Sequence, residues 1–166
     1  SNGYKFSLDN IAYDKFCSLF PYVETDDQLN TISDVISDMC SIKSMDRVVC
    51  GDVGFGKTEV ILRASFIAAN NDKQVIIIVP TTVLAKQHFE TFKRRFAKYS
   101  YNIGIVTRAT SRPERLSIID KLYNNQIHIL IGTHALLNKD FKCTDLGLLI
   151  IDEEHKFGVK HKESIK

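Results

Sequence analysis

Residues 51–58 read Gly-Asp-Val-Gly-Phe-Gly-Lys-Thr and match G-x-x-x-x-G-K-[ST] at every fixed position. The run follows apolar Val48-Val49-Cys50 and opens a helical stretch at Lys57. The chain must therefore build a strand, a tight glycine loop and a helix in that order. The glycines let backbone N–H groups turn inward and come close to phosphate oxygens. The helix N-terminus adds partial positive charge at the same point. Gly51, Asp52, Val53, Gly54, Phe55, Gly56, Lys57 and Thr58 thus form a candidate nucleotide-phosphate cradle. Lys57 can reach β- and γ-phosphates, and the Thr58 hydroxyl can ligate Mg²⁺, which keeps most of its other ligands as water and phosphate.

The rest of the pattern supports the same fold. Short runs rich in Val and Ile recur at Val48–Cys50, Val75–Val79, Ile103–Val106, Ile127–Ile131 and Leu148–Ile151. They are nearly continuous rather than alternating, as in strands covered on both faces. Helical patterns lie between them near Lys57–Asn70, Val83–Tyr99 and Pro113–Asn124, the last opening on Ser111 with Glu114 at capping-box spacing. Strand–helix alternation of this kind predicts a three-layer α/β/α fold with a mostly parallel sheet, a P-loop NTPase architecture. The first 45 residues differ and read as a helical prefix, clearest over Thr25–Met39. The expected organisation is a prefix over 1–45 and a nucleotide-binding lobe over 46–166.

Length and composition narrow the class further. The 166 residues suit one domain, and 44% hydrophobic with 25% charged residues excludes wholesale disorder. No apolar run approaches the roughly 20 residues of a membrane helix, and the N-terminus carries no apolar signal-peptide core. The net charge is +2, so any nucleic-acid contact must be local rather than global. Cys17, Cys40, Cys50 and Cys143 show no metal-ligand spacing and read as reduced, mostly buried thiols of a cytoplasmic protein.

A second chemical element comes about a hundred residues after the first. Leu148-Leu149-Ile150-Ile151 delivers Asp152 and Glu153 at a strand's C-terminal end, the edge where open α/β sheets bind ligands. Asp152 would hold Mg²⁺ through its water shell, and Glu153 would orient and deprotonate an attacking water. A kinase needs no such water-activating acid, so the pair favours hydrolysis. Lys57, Asp152 and Glu153 are the expected catalytic residues.

Asp152-Glu153-Glu154-His155, with the glycine loop upstream, resembles motif II of superfamily 2 helicases and translocases. The segments Met45–Val60, Lys73–Thr82 and Asp145–Glu163 closely resemble the bacterial transcription-repair coupling factor family. Phe55, Glu59 and the Met45-Asp46-Arg47 lead-in favour this family over the similar fork-regressing, branch-migrating translocases, which stand as the alternative reading. The resemblance implies the first RecA-like motor lobe of a double-stranded-DNA translocase. Such a motor hydrolyses ATP, displaces stalled RNA polymerase and recruits excision repair. It also implies a second RecA-like lobe, with polymerase and repair-protein contacts carried by other domains.

Further site residues follow from the same resemblance. Phe20-Pro21-Tyr22 and Thr25–Gln28 resemble the nucleotide-base motif. Gln28 would either hydrogen-bond the adenine edge or serve only as the N3 residue of a helix cap, and Phe20 would stack on the base or belong to the core. Val79–His88 resembles motif Ia, with Thr81 and Thr82 as DNA-phosphate contacts or, for Thr81, a plain helix cap. Gly132-Thr133-His134 resembles motif Ib, with Thr133 as another backbone contact. Lys93, Arg94, Arg95 and Lys98 read as a solvated helix face. His155 carries no catalytic assignment.

Two departures qualify the resemblance. Arg108–Arg112 replaces what is usually a Ser-Arg-Phe-like stretch, and the resemblance implies that motif III and the second lobe, which carries an arginine finger, would follow Lys166. The strand bearing motif III belongs between the glycine-loop strand and the Asp152 strand. The expectation is an open slot, or a substitute strand, beside Val48–Cys50. As an isolated piece, the chain would be a nucleotide-binding module with negligible turnover.

Overall fold

The computed structural model describes residues 4–41, 48–51 and 56–152. Two helices come first, α1 (Asn10–Cys17) and α2 (Asp26–Met39). Strands and helices then alternate: β1 (Val48–Gly51), α3 (Lys57–Asn70), β2 (Gln74–Ile78), α4 (Thr82–Arg95), β3 (Ile103–Val106), α5 (Arg112–Tyr123), β4 (Ile129–Gly132) and β5 (Leu146–Asp152). A single 3₁₀ turn at His134–Leu137 follows β4.

The five strands form one parallel sheet in the order β1-β5-β2-β4-β3. Alternation along β2 divides the core in two, because successive strand side chains point to opposite faces. Val75, Ile77 and Val79 pack in one cluster with Ile61 and Leu62 of α3, Phe16 of α1, and Ala85 and Phe92 of α4. Ile76 and Ile78 pack in the other with Leu122 of α5, Leu136 and Phe141. Three layers result, as the near-continuous apolar strands predict.

Helix ends follow local chemistry. Thr25, Thr81 and Ser111 each accept a hydrogen bond from the backbone N–H three residues on, capping α2, α4 and α5. The helix α4 ends at Arg95, a turn earlier than the apolar pattern predicts, and the chain then tightens through Phe96–Tyr99. The returns from α3 and α5 to the sheet use Asp72 and Asn125 in the left-handed region, where Asp and Asn are tolerated. The prefix is not peripheral: Phe6, Tyr13, Phe16 and Met39 are buried in the same cluster as α3.

The expected gap beside the first strand is corrected. Strand β1 pairs directly with β5, Val48 opposite Leu149 through Gly51 opposite Asp152, so no slot and no substitute strand separates them. The physical reason is the cost of unpaired backbone. An unsatisfied buried donor or acceptor costs about 1–3 kcal/mol, and in-register pairing of two short apolar strands removes several at once. Among the described residues no helix is long and apolar enough to cross a membrane, and Cys17, Cys40 and Cys143 are free thiols.

Candidate functional site

The parallel register brings the C-terminal ends of the strands to one edge. Gly51 lies opposite Asp152, Ile78 lies opposite both Ile151 and Gly132, and Val106 lies opposite Gly132. The start of α3, Asp152, Thr81-Thr82 and Thr133 therefore share that edge, in the place where open α/β sheets bind ligands.

Lys57 is the first residue of α3 and is 8% exposed. Its Nζ donates to Asp152 Oδ1 in a short ion pair. The other carboxylate oxygen, Oδ2, lies 3.2 Å from His88 Nε2. With a carboxylate as partner, that imidazole nitrogen carries the proton and donates. Burial pushes the Asp152 carboxyl up, but hydrogen bonds from His88 and Lys57 and their charges outweigh it and hold it below the ordinary carboxylate value. Asp152 therefore stays ionised at neutral pH. Thr58, half-buried, follows Lys57 in the first turn of α3.

Gly56 caps the start of α3 with φ +93°, a conformation open to glycine and strained for other residues. A Cβ there would lie 2.5 Å from Gln28 Nε2. Gln28 Oε1 accepts from Thr25 N–H at 2.8 Å, and its Nε2 donates to the Gly56 carbonyl at 2.9 Å, which leaves the amide one further donor and one further acceptor site. The cap role of Gln28 is therefore realised. It completes a capping box on α2, and the same amide lies against the last glycine of the loop. Phe20 is half-buried, edge-on to Tyr22, with the Arg63 guanidinium 5.8 Å from its ring centre.

Thr81 is an exposed N-cap whose hydroxyl accepts from Leu84 N–H, so the capping role is realised. Thr82 opens α4, and Thr133 precedes the 3₁₀ turn with no side-chain cap bond. Of the basic stretch, Lys93, Arg94 and Lys98 are exposed, as expected. Arg95 is not on that solvated face: its Nη2 donates to Glu59 Oε2 and to the Phe16 carbonyl, each at 3.1 Å. Asp52, Val53, Gly54, Phe55, Glu153 and His155 lie outside the described residues, as do residues 42–47, where the expected boundary between prefix and lobe falls.

His88 and the buried ion cluster of Glu59, Arg63 and Arg95 were not legible as site residues from the sequence. One signal was present. Ala85, His88, Phe92 and Phe96 recur at helical spacing, so His88 stands as a polar residue in an apolar stripe. Glu59 and Arg63 likewise sit at i, i+4 within a helix buried nearly all round.

The DEAD/DEAH box helicase family model matches residues 25–166, and the chain belongs to that family. Within it, the chain is 52% identical to the transcription-repair-coupling factor of Escherichia coli strain K12 over 164 residues, and 54% identical to that of Bacillus subtilis strain 168 over 166 residues. These alignments cover 99% and 100% of the chain and 14% of each relative, so the chain spans about one seventh of their length. Among solved structures it is similar to RecG bound to a three-way DNA junction, with a TM-score of 0.77 and 27% identity over 91% of this chain and 24% of that one.

Proposed function

We propose that the chain is the ATP-binding motor lobe of a double-stranded-DNA translocase that displaces stalled RNA polymerase and couples transcription to excision repair. The observation that carries this reading is the meeting of Lys57 and Asp152 at the C-terminal edge of the sheet, 95 residues apart in sequence. Identity above 50% to transcription-repair-coupling factors supports the particular motor. The weaker likeness to RecG keeps a fork-regressing translocase as the second reading.

In this account residues 51–58 hold the ATP phosphates, with Lys57 leaving Asp152 for the β- and γ-phosphates. Thr58 and Asp152 would hold Mg²⁺, which supplies charge neutralisation at the phosphate oxygens. Glu153 orients a water toward the γ-phosphorus and takes its proton as the bond to the ADP oxygen breaks. Phe20 and Gln28 receive the base. Thr81, Thr82 and Thr133 grip DNA phosphates without reading sequence, as movement along any sequence requires. The second lobe supplies the arginine finger, worth about 10³–10⁵ in rate in related NTPases. Polymerase and repair proteins bind through other domains, and this lobe alone turns over little or no ATP.

Steady-state ATP hydrolysis by the full-length protein, with and without duplex DNA, tests this. The expected result is turnover stimulated by DNA and abolished by Lys57→Ala. DNA-independent turnover that survives Lys57→Ala would refute it.

A further inference from the structure

The segment between α1 and the first turn of α2 touches the glycine-loop helix at three points spaced four residues apart: Phe20, Glu24 and Gln28. Two of the three fall on one residue, Arg63. Its Nη2 donates to Glu24 Oε2 at 3.0 Å, and its guanidinium lies 5.8 Å from the Phe20 ring centre. The third is the Gln28 bond to Gly56. Tyr22 and Val23, between the anchors, are 74% and 89% exposed.

Arg63 is aimed by the groups behind it. Its Nε donates to Glu59 Oε2 at 2.7 Å along the same helix. Glu59 is held in turn by Arg95, which also bonds the Phe16 carbonyl and lies over the Phe16 ring at 4.6 Å. Arg63 is 4% exposed, and burial would lower its pKa, but the Glu59 and Glu24 bonds overcome this and keep it charged. Glu59 already satisfies one side of the guanidinium within the helix. The side that reaches Glu24 is directed outward, at the segment that carries Phe20 and Gln28. The planar fork of arginine serves both directions at once, which a lysine ammonium could not.

We infer that Arg63 is a positioning residue for base recognition: through Glu24 and Phe20 it fixes the base-binding segment to the helix that holds the phosphates. This rests on the nucleotide-site reading above. The consequence is selective. Loosening this tie should weaken recognition of the base and spare recognition of the phosphates, which residues 51–58 carry.

The test uses the full-length protein with Mg²⁺ and compares equilibrium affinities for ATP and for inorganic tripolyphosphate, which lacks the base. The variants are Glu24→Gln, at a partly exposed carboxylate, and Arg63→Lys, which keeps the charge and loses the fork. The expected result is ATP affinity lowered about tenfold or more in both, the worth of one hydrogen bond between charged groups, with tripolyphosphate affinity within about twofold of wild type. An unchanged ratio of the two affinities in both variants overturns the inference, whether both ligands are spared or both weakened alike. Wild-type protein that binds neither ligand refutes the nucleotide site itself, and the inference with it. Wild-type protein that binds both equally refutes base recognition alone.

Discussion

His88, two turns into α4, and Asp152, at the end of β5, are joined by a hydrogen bond of 3.2 Å between Nε2 and Oδ2. The helix that begins at Thr81-Thr82 on the proposed DNA side is thereby tied to the acid proposed to hold Mg²⁺. His88 is buried in an otherwise apolar stripe, where an unpaired imidazole would be costly. The carboxylate gives it a partner and is itself oriented by it.

Replacing His88 with Ala should leave Asp152 Oδ2 without this donor. Hydrogen bonds to charged groups are worth about 1.5–3 kcal/mol, so a roughly tenfold or larger fall in kcat is expected in the full-length protein, with a raised Mg²⁺ requirement. His88→Gln, which keeps an N–H donor, should recover part of the loss. A Mg²⁺ titration of steady-state turnover in both variants checks this, and wild-type behaviour in His88→Ala would count against the tie.

Gly56→Ala places a Cβ 2.5 Å from Gln28 Nε2 on a backbone at φ +93°. Strain of this kind costs about 1–3 kcal/mol. The expected outcome is loss of nucleotide affinity, measured by equilibrium binding, with a smaller loss of thermal stability.

Gly132→Ala acts on the sheet rather than the ligand. Its Cβ would meet the Val106 carbonyl at 2.5 Å, a backbone atom that cannot swing aside. Overpacking of this kind costs about 1–3 kcal/mol, read as a lowered Tm. A Tm equal to wild type would show that β3 and β4 can separate freely at this point.

His128 sets an expected pH dependence. Its Nδ1 accepts from Asn102 N–H at 2.8 Å, which requires the neutral ring, and burial lowers its pKa while Asp72 opposes. The folded value lies below the unfolded one, so the contribution is complete above the unfolded pKa of about 6.5 and is lost as pH falls through the folded value. Asp152 acts in the same direction at lower pH, below about 4. Thermal melts from pH 7 to pH 5 should show falling stability, with a shallower slope in His128→Gln. An equal slope would remove His128 from the account.

Much of this was legible in the residues. The Val- and Ile-rich runs place all five strands, though β4 begins at Ile129 rather than Ile127, whose carbonyl accepts from Gln74 Nε2 at 2.9 Å instead of joining the ladder. Local cap chemistry at Thr25 and Ser111 predicts two helix starts. Long-range polar pairing was not legible. Nothing in the stretch Lys93-Arg94-Arg95 distinguishes the one arginine that turns inward to Glu59, since that depends on where the fold sets the end of α4 relative to Glu59. The pairing of β1 with β5 was likewise misjudged, because strand order was carried from the resemblance and backbone pairing is settled by which edges meet.

The most direct test is ATP-dependent release of an RNA polymerase stalled on duplex DNA by the full-length protein. The account predicts release with ATP by the wild type, and none with a non-hydrolysable analogue or with Lys57→Ala. Release by Lys57→Ala at the wild-type rate would contradict it, as would a wild-type protein that regresses forked DNA but leaves the stalled polymerase in place.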